Sequence, residues 1–213
     1  MKVGMNASLA RLFSAKGKSV RNAILVSAML LWIFAVGAGI RVLLRYSNTP
    51  GRLAAPQGSL PHTPVVRRER QRATLVAFLH PHCPCSRATI GELALIMARC
   101  QGRLNAYVFF YAPRSEGSVW ARTDLWRDAS AIPGVISVED QDGAESRRFG
   151  ASTSGQALLY DSHGRLVFNG GITASRGHAG PNDGRDAVVS LVETGTARHI
   201  TTPVFGCSLL GEE

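Results

Sequence analysis

The sequence lacks the features of several protein classes. It has no internal repeat, and neither GKS nor GxGxxG occurs between a predicted strand and a predicted helix, so phosphate binding at such a loop is not expected. Acids are scarce in residues 1–72, which carry twelve Lys or Arg and the single acid Glu69, whereas residues 73–213 carry twelve Arg and fourteen acids. The net charge of +9 therefore belongs to the N-terminal arm. A nucleic-acid partner is not expected, because such proteins concentrate positive charge on their folded part.

One long stretch has no charged residue. Residues 23–40 are uncharged over eighteen positions, and a helix of that length spans about 27 Å, close to the hydrocarbon thickness of a bilayer. Five basic residues precede this stretch, and three, Arg41, Arg45 and Arg52, follow it closely, so the flanking charge favours a cytoplasmic N-terminus. We predict a single-pass anchor in the inner or plasma membrane, with the domain periplasmic or otherwise extracytoplasmic. A cleaved signal peptide is the alternative, since Ala35 and Gly37 have suitable spacing, and it exports the same domain.

Composition divides the chain into five parts. The segment 45–71 holds four of the ten prolines and shows no apolar period, so it is predicted to be an extended stalk. The predicted parts are a basic cytoplasmic N-terminus (1–22), a transmembrane anchor or uncleaved signal (23–44), a Pro-rich linker (45–71), a folded domain (72–196) and a C-terminal tail (197–213).

The apolar pattern after residue 72 predicts alternating strands and helices. Buried strands are predicted at 73–80, 104–113 and 134–140, helices at 86–100, 119–129, 143–150 and 184–195, and a hairpin of two strands within 155–171. This order predicts an α/β fold with a mixed sheet covered by helices on both faces. Sites in such sheets lie where a strand feeds a helix N-terminus. The stretch HPHCPC, at residues 80–85, occupies that position.

The element order, the cysteine-bearing turn and the hairpin LLYDSHGRLVFNGG resemble the thioredoxin-like superfamily over about residues 72–195. The chain is most similar to its membrane-anchored, exported thiol-disulfide oxidoreductases, in particular the RedB-like group. The resemblance implies a thioredoxin-like mixed sheet flanked by helices, preceded by one N-terminal transmembrane helix. It also implies an enzyme that acts on exported protein thiols or disulfides and requires no cofactor. Two positions depart from the family pattern: Ser86 replaces its second cysteine, and Gly155 replaces its cis-proline.

The cysteines are the predicted reactive groups. Cys83 is the predicted nucleophile, because a helix N-terminus stabilises a thiolate. Cys85 is the first candidate for the resolving thiol, and a Cys-Pro-Cys disulfide is expected to be strained and easily reduced, which predicts an oxidising or shuffling couple. Cys207, in the apolar stretch PVFGC, is the second candidate, with a plain packing role as its alternative, whereas Cys100 is expected to be a buried small hydrophobe. The candidates for proton transfer or a substrate loop are His82, His178, Ser154 and Gly155.

Metal binding is the alternative interpretation of the same turn. Thiolates and imidazoles suit Cu(I) or Zn(II), and the candidate ligands are His80, His82, Cys83 and Cys85. The glycine-rich loop 170–184 adds His178 and Asp183, and it is expected to serve as a lid, a partner-recognition loop, a ligand donor or a solvated connection. A redox-inert interaction domain is a third hypothesis.

Overall fold

The computed structural model describes residues 5–117 and 119–210, and it divides the chain into two compact units, Met1–Tyr46 and Ser47–Glu213. The first unit is formed by helix α1 (Met5–Asn48). Its portion Val20–Asn48 has a mean hydropathy of 2.4 and is, by length and composition, able to cross a membrane. The helix thus continues past the end of the predicted anchor at residue 44.

A five-stranded mixed sheet forms the centre of the second unit. Its strands lie in the order β3-β2-β1-β4-β5, with β1, β2 and β3 parallel and β4 antiparallel to both of its neighbours. The strands are β1 (Ala73–Leu79), β2 (Leu104–Ala112), β3 (Val135–Gln141), β4 (Gln156–Tyr160) and β5 (Leu166–Gly171). The central strands β1 and β4 are almost continuously buried, which explains why apolar residues predominate in them without alternating with polar ones.

Four helices follow the strands as the sequence pattern predicted, and they lie on both faces of the sheet. They are α2 (Ser86–Arg99), α3 (Asp124–Ser130), α4 (Ala144–Phe149) and α5 (Asp183–Thr194). Residues of α2, α3 and α5 pack in one apolar cluster, whereas Phe149 of α4 packs in the cluster on the other face. The helix predicted at 119–129 begins later, at Asp124, because Thr123 has extended backbone and its hydroxyl donates to the Pro81 carbonyl.

Residues 51–66 of the predicted linker pack on the domain, so the prediction of an extended stalk that holds the domain away from the membrane is wrong for this part. Val66 is buried in the second apolar cluster, and Leu60 packs against that cluster. The Leu60 N–H also donates to the Gly164 carbonyl in the β4–β5 turn at 2.8 Å. Proline keeps the backbone of this segment extended, as predicted. An extended backbone is also suited to pairing with the edge of a hairpin. The apolar side chains of the segment then cover the part of the sheet face that α4 leaves open.

Candidate active site

Cys83 lies in the tight turn between β1 and α2. Its N–H donates to the His80 carbonyl at 3.1 Å, and its carbonyl accepts the N–H of Ser86 at 3.0 Å. Cys85 is the N-cap residue of α2. These contacts place the Cys83 thiol at the carboxyl end of the central strand and the start of a helix, as predicted, with only 1% of the residue exposed.

Ser86 forms a closed hydrogen-bond ring instead of supplying a thiol. Its hydroxyl donates to the His80 carbonyl at 3.1 Å and lies 3.1 Å from the Ser154 hydroxyl, which accepts the His80 N–H at 2.9 Å. Because Ser86 uses its proton on the carbonyl, the hydroxyl of Ser154 donates to Ser86. Both serines are buried, so the ring fastens the end of β1, the start of α2 and the loop before β4 together. Ser154, predicted as a proton-transfer or loop residue, therefore has a structural contact to the turn.

Gly155 has backbone geometry that a proline cannot adopt. Its N–H donates to the carbonyl of Phe78 in β1 at 2.8 Å, and its φ is +94°. Proline has no N–H and a φ fixed near −65°. The described residues contain no cis peptide bond. The departure from the family's cis-proline is thus accounted for by the way this loop joins the sheet.

A Gly155→Pro variant should be strongly destabilised. It loses the hydrogen bond to Phe78 and requires the backbone to leave its native conformation, and together these should lower the free energy of unfolding by about 3 kcal/mol or more. Gly155→Ala keeps the N–H and should cost less, about 1–2 kcal/mol for its positive φ. Urea denaturation of both variants measures the difference, and a proline variant as stable as the alanine variant would contradict this explanation.

A segment distant in sequence completes the site. Residues 203–209, here called the Cys207 segment, run antiparallel to residues 152–154, with the Ser154 N–H donating to the Cys207 carbonyl at 2.8 Å and the Leu209 N–H donating to Ser152 at 2.9 Å. A Cβ on Gly206 would lie 1.8 Å from the Ser154 carbonyl oxygen, so only glycine permits this approach. As a result the Sγ atoms of Cys207 and Cys83 are 3.0 Å apart.

The neighbouring groups give Cys83 and Cys207 different acidities. Burial raises the pKa of Cys83, but hydrogen bonds from the thiol and backbone of Cys207, and from the backbone and thiol of Cys85, outweigh burial and lower it below its ordinary value. Burial, the hydrogen bond to Cys83 and the charge of Cys83 raise the pKa of Cys207 to about 12. Cys83 is therefore the thiol suited to be a thiolate, and Cys207 the one suited to remain protonated beside it.

Cys85 is also close to Cys83, but it has a second polar neighbour. Burial and the charge of Cys83 raise the pKa of Cys85, while a hydrogen bond and the positive charge of Arg176 act in the opposite direction. Arg176 was not predicted from the sequence, although it is the one Lys or Arg in the loop 170–184.

The two histidines of the turn join an aromatic cluster. The His80 ring lies 5.9 Å from the Tyr111 ring and 5.4 Å from the Trp120 ring, and His82 lies 4.5 Å from Trp120. His80 Nδ1 accepts the backbone N–H of His82 at 3.2 Å, and burial followed by the proximity of His82 lowers the pKa of His80. No group of three or more His, Cys, Asp or Glu is arranged to hold a metal within the described part of the chain. Cu(I) binding by these histidines and the two nearby cysteines stays a prediction.

The other predicted residues lie in the loop 170–184, at the start of α5 or in the core. His178 is exposed, and its Nδ1 contacts the Arg176 carbonyl of its own loop at 2.9 Å. Asp183 begins α5, and its role in a metal site stays a prediction. Cys100 is fully buried at the end of α2, as expected for a small hydrophobe.

The strand order and the cysteine-bearing turn between β1 and α2 define a thioredoxin-like fold. Two solved structures share it. A hypothetical protein from Sinorhizobium meliloti 1021 is 23% identical with a TM-score of 0.56, and the match covers 77% of this chain and 95% of that one. An uncharacterized conserved protein from Geobacillus kaustophilus is 20% identical with a TM-score of 0.56, and the match covers 78% and 95%.

StoA from Bacillus subtilis matches less well, with 15% identity and a TM-score of 0.43 over 66% of this chain and 99% of that one. No protein-family model and no curated protein matches the sequence. At these identities the first two structures show the fold, and the activity has to be argued from the thiols themselves.

Proposed function

We propose that the protein is an exported, membrane-tethered thiol-disulfide oxidoreductase that acts on protein thiols or disulfides, with Cys83 as nucleophile and Cys207 as resolving thiol. The observation that carries this proposal is the 3.0 Å separation of their Sγ atoms. A disulfide bond is about 2.05 Å long, so the two sulfurs need to approach by about 1 Å to form one. The pairing replaces the Cys-Pro-Cys couple that the sequence favoured.

In the direction of reduction, the first step forms a mixed disulfide. The Cys83 thiolate attacks one sulfur of a substrate disulfide, the substrate S–S bond breaks, and the other substrate sulfur leaves as a thiolate that takes a proton. The hydrogen bonds that lower the pKa of Cys83 increase the fraction of this thiol that is ionised and able to attack.

The second step uses Cys207. Once Cys83 is in a mixed disulfide its negative charge is gone, so one of the causes that raise the pKa of Cys207 disappears. Cys207 then loses its proton and attacks the Cys83 sulfur, and the second substrate thiolate leaves. The substrate disulfide has become two thiols, and the enzyme holds a Cys83–Cys207 disulfide. The same steps in reverse oxidise a substrate dithiol.

Access to Cys83 requires the Cys207 segment to shift. Cys83 is 1% exposed, whereas Cys207 and Cys85 are partly exposed. A substrate therefore reaches the nucleophile when the Cys207 segment moves aside, and the return of that segment delivers the resolving thiol. The apolar helix Val20–Asn48 and the basic residues before it support an extracytoplasmic position for this chemistry.

Loss of Cys83 tests the proposed function. The Cys83→Ser variant should lose essentially all turnover of insulin disulfides with dithiothreitol as reductant, because the surroundings lower the pKa of Cys83 but raise the pKa of Cys85, Cys100 and Cys207. Cys100→Ser is the matched control, since that cysteine is buried in the core, and it should retain turnover. Turnover in Cys83→Ser equal to that of an active wild type would reject Cys83 as the nucleophile, and a wild type no faster than dithiothreitol alone would favour the redox-inert interaction domain.

A further inference from the structure

Arg176 lies in the loop between β5 and α5 and reaches the Cys207 segment. Its Nη1 donates to the Gly206 carbonyl at 2.5 Å, directly before the thiol that contacts Cys83. A hydrogen bond from a guanidinium is charge-assisted and stronger than one between neutral groups. The contact therefore fixes the backbone beside Cys207, in addition to the pairing of that backbone with residues 152–154.

The loop that carries Arg176 is anchored to α2. Glu92 is 1% exposed, and its carboxylate accepts the Gly180 N–H at 2.6 Å and the Arg185 guanidinium at 2.8 Å. The side-chain amide of Asn182 donates to the same carboxylate at 3.2 Å, while its oxygen caps α5. Because breaking a buried ion pair leaves an uncompensated charge, this network holds the loop, and with it Arg176, in one place.

The same guanidinium interacts with the other two thiols. A hydrogen bond and the charge of Arg176 stabilise ionised Cys85, and the charge acts in the same sense on Cys207. Two thiols compete to resolve Cys83, and Arg176 acts on both of them. It keeps Cys85 at the guanidinium when that thiol ionises, and it holds the backbone of Cys207 against Cys83.

We propose that Arg176 is a positioning residue that selects Cys207, rather than Cys85, as the thiol that pairs with Cys83. The biological consequence of this selection rests on the proposed exchange activity. Which thiol pairs with Cys83 is a property of this chain alone and can be measured without a substrate. Without the guanidinium, the Cys207 segment loses its charge-assisted contact, while Cys85 remains two residues from Cys83.

Disulfide mapping of the full chain in detergent micelles tests this assignment. The reduced protein is equilibrated with oxidised glutathione, alkylated and digested, and the Cys83–Cys207 and Cys83–Cys85 peptides are quantified. The wild type should form mainly Cys83–Cys207. Arg176→Met should shift the ratio toward Cys83–Cys85 by roughly tenfold or more, the effect of losing a hydrogen bond to a charged group. Arg176→Lys should restore part of the ratio, and Arg165→Met, at the distant β4–β5 turn, should not change it.

A second measurement separates positioning from a general structural effect. The rate of Cys85 alkylation should reach its midpoint at a higher pH in Arg176→Met than in the wild type, because the guanidinium no longer stabilises the thiolate. If near-ultraviolet circular dichroism shows that the Met variant is unfolded, both measurements are made on Arg176→Gln. An unchanged ratio in a folded variant, or a wild type that forms mainly Cys83–Cys85, would overturn the assignment. Insulin turnover is measured in parallel. A wild type that forms the Cys83–Cys207 link but does not turn over insulin would reject the proposed activity and leave the assignment of Arg176 standing.

Discussion

A Cys207→Ser variant is expected to remain covalently attached to its substrate through Cys83. Attack by Cys83 does not need Cys207, but release of the substrate does, so the mixed disulfide accumulates. Insulin turnover should fall by about 100-fold or more, because release then depends on an external thiol or on Cys85, which Arg176 disfavours as the partner of Cys83. Non-reducing mass spectrometry should detect the adduct, and Cys83→Ser should show none.

Cys85→Ser is the matched control for this experiment. Both variants replace a thiol that hydrogen-bonds to Cys83 with a hydroxyl that can still donate, although the Cys207 thiol lowers the pKa of Cys83 more than the Cys85 thiol does. If Cys207 is the resolving thiol, Cys85→Ser should keep turnover within about fivefold of the wild type, the effect of losing one modest hydrogen bond. A trapped adduct in Cys85→Ser, with normal release in Cys207→Ser, would assign resolution to the Cys-Pro-Cys couple instead.

The fold was predictable because its signals are local. Continuous apolar runs gave the central strands, the helical period gave α2 and α5, and the order of elements gave a mixed sheet. The position of Cys83 followed from the same reasoning, since a strand that feeds a helix brings the intervening turn to the edge of the sheet. Even the departure at Gly155 was visible, although its cause, a hydrogen bond to Phe78, was not.

Cys207 was a candidate from the sequence, but its position beside Cys83 was not predictable, because it depends on contacts between residues far apart in sequence. Cys207 is 124 positions from Cys83, and it is brought there by backbone pairing with residues 152–154 and by the absence of a side chain at Gly206. A short apolar stretch such as PVFGC indicates docking but not where it docks. Arg176 is a similar case, because its role arises from the carbonyl that its loop reaches.

The linker prediction failed for a related reason. Proline content predicts that a backbone is extended, and residues 49–72 contain no described helix. Whether an extended chain is solvated or packed depends on the surface beside it. Here the face that α4 does not cover accepts Leu60 and Val66, so a segment with linker composition became part of the domain.

Oxidation of the wild-type protein is expected to raise its stability strongly. A disulfide between residues 124 positions apart closes a long loop, and the chain-entropy model gives about 4–5 kcal/mol for a loop of about that length. The hydrogen bonds that lower the pKa of Cys83 act in the opposite sense, because they stabilise the reduced form. We therefore expect a net gain of about 3–5 kcal/mol, or a Tm higher by roughly 10 °C. Calorimetry of the oxidised and reduced full chain in micelles measures it.

The identity of the disulfide decides the size of this effect. A Cys83–Cys85 link closes a loop of only a few residues and should add less than about 2 kcal/mol. Cys207→Ser can form only that link at the site, so its Tm should change little on oxidation, while Cys85→Ser should behave as the wild type does. Equal shifts in the wild type and Cys207→Ser would contradict the pairing of Cys83 with Cys207.

The same free energy determines the direction in which electrons flow. Folding favours the disulfide by as much as the disulfide favours folding, so a gain of about 3–5 kcal/mol makes the folded couple roughly 60–110 mV more reducing than the same thiols in the unfolded chain. A strained Cys83–Cys85 link would instead be easily reduced and would make the protein an oxidant. Pairing with Cys207 therefore reverses the expectation drawn from the Cys-Pro-Cys sequence, and it predicts a protein that donates electrons to substrate disulfides. A redox titration that gives the wild-type couple a higher, more oxidising reduction potential than the Cys207→Ser couple would refute that direction.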